Sequence, residues 1–239
     1  MKKIKKSIGF VAFVLLCSII FNLVGCTAVS ATNLMAGISP NEVKKEEDLS
    51  SMNVSVTDFA LRLLKAERNG EKNTLISPLS VLSALAMTAN GARGETLRQM
   101  EAVLGMTSDE LNSYIYSYAR FFPQGDKYIL NLANSIWFTD DSRFTVNTDF
   151  LQTNADYYGA DAYKAPFDNS TLRDINNWVK KRTDGMIPRV LDKISSDAVM
   201  YLVNALAFEA EWSKIYEKQD VRDAVFTKTD GTKQDVELM

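Results

Sequence analysis

Histidine is absent from the 239 residues. Without an imidazole, neither a Ser-His-Asp nor a Cys-His nucleophile system can be assembled, and the commonest metal ligand and neutral-pH general base is missing. Cysteine is nearly as scarce, with only Cys17 and Cys26. Cys17 lies inside the N-terminal leader described next and Cys26 directly after it, where it is expected to be acylated, so the folded part keeps no thiol for a disulfide or for redox chemistry. Closely spaced glycines are confined to Gly91-Ala92-Arg93-Gly94, which matches neither a phosphate-cradling loop nor a dinucleotide fingerprint and reads as a helix cap and turn. A basic excess is lacking too, since the formal net charge is −3, and a nucleic-acid partner is excluded on that ground. The densest acidic groups, Asp140-Asp141 and Glu46-Glu47-Asp48, fall in expected loops and read as solvated surface charge rather than as a metal or acid/base site. Phe121-Phe122 and Tyr157-Tyr158 read as packing. The chain is not expected to be an enzyme, and no cofactor or metal is implied.

What is present begins with Lys2, Lys3, Lys5 and Lys6 ahead of an apolar run over residues 8–23, the pattern of a secretory signal. The run ends in Leu23-Val24-Gly25-Cys26, which resembles the bacterial lipobox, where a peptidase cuts before a cysteine carrying a diacylglyceryl thioether. Residues 1–25 are therefore expected to be a lipoprotein signal, Cys26 a lipidation site and mature N-terminus, and the protein extracytoplasmic, anchored at a membrane or cell surface. The competing reading is an uncleaved membrane anchor, because the run approaches the roughly 18–20 residues of a spanning helix. Cleavage removes those four lysines and no acid, taking the net charge from −3 to −7.

Residues 26–51 are small, polar and charged with no repeating apolar face, and read as a flexible tether to a domain over residues 52–239. Val56, Phe59, Ala60, Leu63 and Leu64 then recur at helical spacing, up to Asn69-Gly70. Residues 73–76 read as a short β-like run. Ser77-Pro78 follows as N-cap and first helical residue of a second helix to Gly91, apolar nearly all round and so expected in the core. A third helix ends at Gly105, and Thr107 with Glu110 forms a capping box for a fourth. From Tyr128 the period changes to two, giving a long strand apolar on both faces. A helix over residues 148–158, a short strand over 162–167 and a helix over 170–183 come next. Residues 198–208 are an almost unbroken apolar run, expected as a strand in the middle of a sheet, and Asp230-Gly231 marks a hairpin turn. Helices first, then strands interleaved with helices, make the fold class α+β.

Polar groups interrupt the most apolar elements: Ser77, Ser80 and Ser83 on the second helix, Asn204 in the last long strand. A buried asparagine costs a few kcal/mol unless hydrogen-bonded. Asn204 is either satisfied by a neighbouring backbone or hydroxyl group, or is part of a polar cluster that lets two sheet strands separate.

The stretch NTLISPLSVLSALAM (residues 73–87), followed by Gly91-Ala92-Arg93-Gly94 and Gln99-Met100, resembles the helix B and helix C signature of the serpins. LANSIWF (132–138) is similar to their second sheet-A strand, INNWV (175–179) with TDGMI (183–187) to helix F, and LVNALAF (202–208) with Trp212 to the third sheet-A strand. The order is collinear over residues 54–239. Two departures are FEAEW (208–212), where the family has Phe-Lys-Gly-x-Trp, and Gly185-Met186-Ile187, where it has Gly-Lys-Ile. The resemblance implies the N-terminal part of a serpin fold, helices A–F with strands of the central sheet A, incomplete. It implies a shutter formed by Ser77, Pro78, Ser80 and Asn204, with Trp212 at the upper end of that sheet, the breach. It also implies inhibition of a serine, or cysteine, protease by a reactive-centre loop that inserts into the sheet after cleavage. In the family's order that loop falls after residue 239, so the chain is expected to be inactive as it stands. A non-inhibitory serpin-fold surface lipoprotein that binds a ligand or partner is the alternative.

Overall fold

The computed structural model describes residues 31–68, 73–121 and 128–239. Residues 1–30, with the signal and Cys26, lie outside the described residues.

Local sequence rules account for the helices. Helix α1 (Ser50–Glu67) turns Phe59 into the interior. Helix α2 (Pro78–Ala89) starts as its sequence requires: the Ser77 side chain accepts from the Ser80 N–H, and proline occupies a position whose N–H would have no partner anyway. Leu82, Ser83, Ala86, Met87 and Ala89 of α2 are buried. Helix α3 (Gly94–Leu104) stops at Gly105, whose φ of 78° is the left-handed conformation glycine adopts without penalty. Helix α4 (Ser108–Phe121) opens on the expected capping box: the Thr107 N–H donates to Glu110 Oε2 at 2.8 Å, and the Glu110 N–H donates to Thr107 Oγ1 at 3.3 Å. Helices α5 (Thr148–Tyr158) and α6 (Asn169–Arg182) are capped by Asn147 and Asp168.

Four strands, β1 (Thr32–Asn33), β2 (Tyr128–Thr139), β3 (Asp161–Ala165) and β4 (Met200–Ala210), form a sheet in the order β1-β3-β2-β4. β2 runs parallel to β3 and antiparallel to β4, with Asn134 directly opposite Asn204. A second sheet is the hairpin of β5 (Arg222–Thr227) and β6 (Lys233–Leu238), turned at Gly231. One core lies between the sheet and α1–α5, around Leu82, Met87, Leu111, Ile115 and Ile136; the other lies between the sheet and α6, around Trp137, Ile175, Val179 and Val203. Successive residues of a strand face opposite sides, so Ile136 enters the first core and Trp137 the second. That is why β2 is apolar on both faces.

Three expectations need correction. Residues 26–51 do not read as a free tether where they are described. β1 adds antiparallel to β3, the Leu34 N–H donates to the Ala162 carbonyl at 2.9 Å, and the Asn41 N–H donates to Asp156 Oδ1 at 2.7 Å. The Glu46 N–H reaches Ser117 Oγ at 2.8 Å, and Leu49 is buried. These ties are mostly through the backbone and leave no hydropathy period to read. Residues 73–76 form no strand, and Leu75 is 98% exposed: apolar composition makes a strand only where an edge is available to pair with. β4 is an edge strand among the described residues rather than a central one, since β2 is its single neighbour. Its apolar run reflects cover on both faces by the two cores, which composition cannot distinguish from cover along both edges.

Candidate conformational gate

At the start of α2, Ser77 Oγ donates to Ser80 Oγ at 2.8 Å, and Pro78 fixes the first turn between them. One turn further on, Ser83 is fully buried and its hydroxyl has no hydrogen-bond partner among the described residues. α2 lies against β4, so this serine-bearing helix backs the outer strand of the sheet.

Within the sheet, Asn204 Nδ2 of β4 donates to Asn134 Oδ1 of β2 at 2.7 Å, and Asn134 Nδ2 donates to the Tyr158 carbonyl at 3.0 Å. The amide pair clips β4 to β2 by side chains in addition to the ladder. Among the described residues, no group, the serines included, donates a hydrogen bond to the buried Asn204 Oδ1. A buried polar atom left in that state costs on the order of 1–3 kcal/mol. Asn204 thus combines both readings: one end is satisfied by an adjacent side chain, and the other is held unsatisfied beside an open strand edge.

The network continues past the sheet. The Tyr158 hydroxyl donates to Asn112 Oδ1 of α4 at 2.7 Å, and burial pushes its pKa far above the usual tyrosine range. Asn112 and Asn90, the residue that ends α2, exchange amide hydrogen bonds at 2.9 and 3.0 Å, and Asn90 also reaches Asn154 of α5 at 3.5 Å. A run of amides therefore connects β4 through β2 and the end of α5 to α4 and the far end of α2. Sequence reasoning singled out Ser77, Pro78, Ser80 and Asn204, and of the network beyond Asn204 it missed Asn134, Asn112, Asn90, Asn154 and Tyr158. Asn134 carried a signal of the same kind as Asn204, a lone amide in the Leu130, Leu132, Ile136, Phe138 face; the helical asparagines carried none.

Trp212 follows the end of β4 and is 71% exposed, in edge-to-face contact with Tyr216 at 6.4 Å between ring centroids. It is apart from the asparagine pair, and with Phe208 and Ile215 forms an exposed apolar rim. Among the described residues no group of carboxylates is arranged to hold a metal ion, and no helix is long and apolar enough to cross a membrane.

Among the described residues, six α-helices against a mixed sheet, whose long antiparallel pair is clipped by facing asparagines, have the serpin fold. The serpin (serine protease inhibitor) family profile matches residues 54–239, and the chain belongs to that family. Its membership is in a family of inhibitors, not of enzymes. It is 34% identical over 202 residues to leukocyte elastase inhibitor of Equus caballus, covering 81% of this chain and 52% of that protein, and 33% identical to the Homo sapiens protein over the same shares. Among solved structures, the thermophilic serpin tengpin in its native state is 48% identical with a TM-score of 0.80, over 87% of this chain and 54% of that one. A loop C-sheet serpin polymer aligns with a TM-score of 0.75 at 48% identity, over 84% and 54%. The chain spans about half the length of the relatives it matches.

Proposed function

We propose that this chain is the N-terminal portion of a bacterial, lipid-anchored inhibitor of serine proteases that acts as a suicide substrate, and that Ser77, Pro78, Ser80 and Asn204 form the gate of its central sheet. The observation that carries the reading is the Asn204 amide: its Nδ2 ties β4 to β2, while its buried Oδ1 has no partner on a strand whose other edge is open among the described residues. A strand added alongside β4 would complete the backbone ladder and bring donors to that oxygen, so insertion releases free energy that the uninserted sheet withholds. Trp212, beyond the end of β4, marks the end at which such a strand would enter.

Target choice belongs to the bait loop, which the resemblance assigns to sequence following residue 239. The 239-residue chain alone is accordingly inactive, and a protein continued through the rest of the domain is the inhibitor. The test is to mix that longer protein with a panel of serine and cysteine proteases: a detergent-resistant covalent complex supports inhibition, and cleavage without complex by every member favours the non-inhibitory alternative.

Anchoring rests on the basic leader and the Leu23-Val24-Gly25-Cys26 ending. Metabolic labelling with a tagged fatty acid should mark the protein, and Cys26→Ser should abolish the label and leave the leader uncut, because the peptidase acts before a lipid-bearing cysteine. A protein that takes up no label would instead keep an uncleaved N-terminal anchor.

A further inference from the structure

We propose that the end of the main sheet where β1 enters the fold is the membrane-facing end of the molecule, so that the Trp212 end points away from the bilayer; this rests on the reading of Cys26 as the lipidated residue. Four strands show which end that is. Thr32 pairs with Lys164 and Asn33 with Tyr163, so the chain preceding β1 runs towards the C-terminal end of β3. At that end Ala31 packs into the core beneath α6. The same end carries the close of β2 and the opening of β4: the Asp140 N–H donates to the Ala165 carbonyl, and the Thr139 N–H donates to the Val199 carbonyl. β4 then rises for 11 residues before Trp212 is reached.

The lengths decide the orientation. Five residue-to-residue steps lead from Cys26 to Ala31, a reach of roughly 17 Å when fully extended. The 11 residues of β4 span about 36 Å at strand rise. A lipid on Cys26 is therefore held close to the Thr139, Ala165 and Val199 end and cannot pass to the Trp212 end unless β1 leaves the sheet. The end near the anchor also offers an apolar pocket of about 410 Å³ between α2, α3 and the start of α5, lined by Met100, Phe138, Phe144, Phe150 and Met200. Phe144 and Val199 are exposed there, a surface suited to the headgroup boundary.

The experiment is energy transfer on anionic vesicles. Ser196, beside Val199, and Ser213, beside Trp212, are each replaced in separate proteins by an azide-bearing amino acid and coupled to a donor dye, with acceptor dye on lipid headgroups. In the lipidated protein, transfer from position 196 is expected to exceed transfer from 213 several-fold. Equal transfer, or more from 213, overturns the orientation. A long Gly/Ser insertion between Cys26 and Thr32 should erase the contrast, and a contrast that survives it also overturns the proposal. If the protein fails to float with vesicles, the lipidation reading is what fails. The orientation is then read from the protein begun at Cys26 and continued through the rest of the domain, coupled through the Cys26 thiol to a maleimide lipid, with the same two outcomes.

Discussion

Asn204 and Asn134 face each other across two strands, yet removing them has unequal consequences. Asn204→Ala breaks the 2.7 Å bond to Asn134 but also deletes the buried oxygen that had no partner, so loss and relief partly cancel. Asn134→Ala strips Asn204 of its one bond and also leaves the Tyr158 carbonyl without the Asn134 donor. In this chain Asn134→Ala should therefore cost on the order of 2–3 kcal/mol and Asn204→Ala about 1 kcal/mol or less. Chemical denaturation of both variants checks the ranking, and equal losses would mean that the pair is satisfied by water. In the longer protein Asn204→Ala removes the clip between β2 and β4 and should promote polymers on mild heating, read by native gels. Tyrosine supplies a pH handle. Burial, and secondarily the neighbouring Tyr118, pushes the Tyr114 hydroxyl up to about 12 from its ordinary 10, and its proton is shared with Asn53 Oδ1 at 3.0 Å. A group whose folded pKa is raised contributes stability that is fully present below the unfolded value and is lost as pH rises through the folded one. Stability should thus hold to about pH 10 and fall towards pH 12, and Tyr114→Phe should flatten that fall; an unchanged alkaline profile would place the loss elsewhere.

Among the elements, legibility tracked how much of the ordering force was local. Helices α1–α6 and the long β2 were readable because caps, left-handed glycines and apolar period all act within a few residues. The Thr107 and Glu110 box, the Ser77-Pro78 start and the Gly105 stop each work through bonds shorter than one helical turn in sequence. The positions of β1 and β4 in the sheet were not readable, because pairing depends on which edge is open and no residue in either strand encodes its neighbour. The same logic hid the amide run, since Asn112 and Asn154 have meaning only once α4, α5 and the end of α2 meet. β1 and residues 34–49 form an element whose removal gives a direct measure of such ties. Deleting residues 27–49 exposes the β3 edge and leaves Asp156 and Ser117 without the Asn41 and Glu46 N–H groups. The loss should be on the order of 2–4 kcal/mol, at about 1 kcal/mol for each of a few hydrogen bonds, read as a lower denaturation midpoint. A midpoint unchanged by the deletion would restore the tether description.

At the scale of the molecule, the sheet and the rim around Trp212 are built to be covered. β4 has one neighbour among the described residues, and Phe208, Trp212 and Ile215 are each more than 60% exposed while Val225 and Phe226 of the hairpin are each 57% exposed. Buried apolar surface contributes roughly 25 cal/mol per Å², so a run of uncovered aromatic and aliphatic side chains forfeits several kcal/mol from a net stability that is only about 5–15 kcal/mol in an ordinary domain. An open, long and largely apolar edge strand is in addition a template for pairing with another chain. Residues 27–239 expressed alone should therefore be poorly soluble, unfold over a broad range and form no detergent-resistant complex with any serine protease. The version continued through the rest of the domain should unfold sharply, because the exposed side chains around Trp212 and on the hairpin are then covered. Size-exclusion chromatography, calorimetry and a protease panel on the two versions separate the claims. A soluble monomer of residues 27–239 with a sharp transition would refute the folding argument, because the two cores would then suffice without cover on β4. A covalent complex from the same residues would refute the assignment of the bait loop to later sequence, because the cleaved and trapped segment would have to lie within the chain already described.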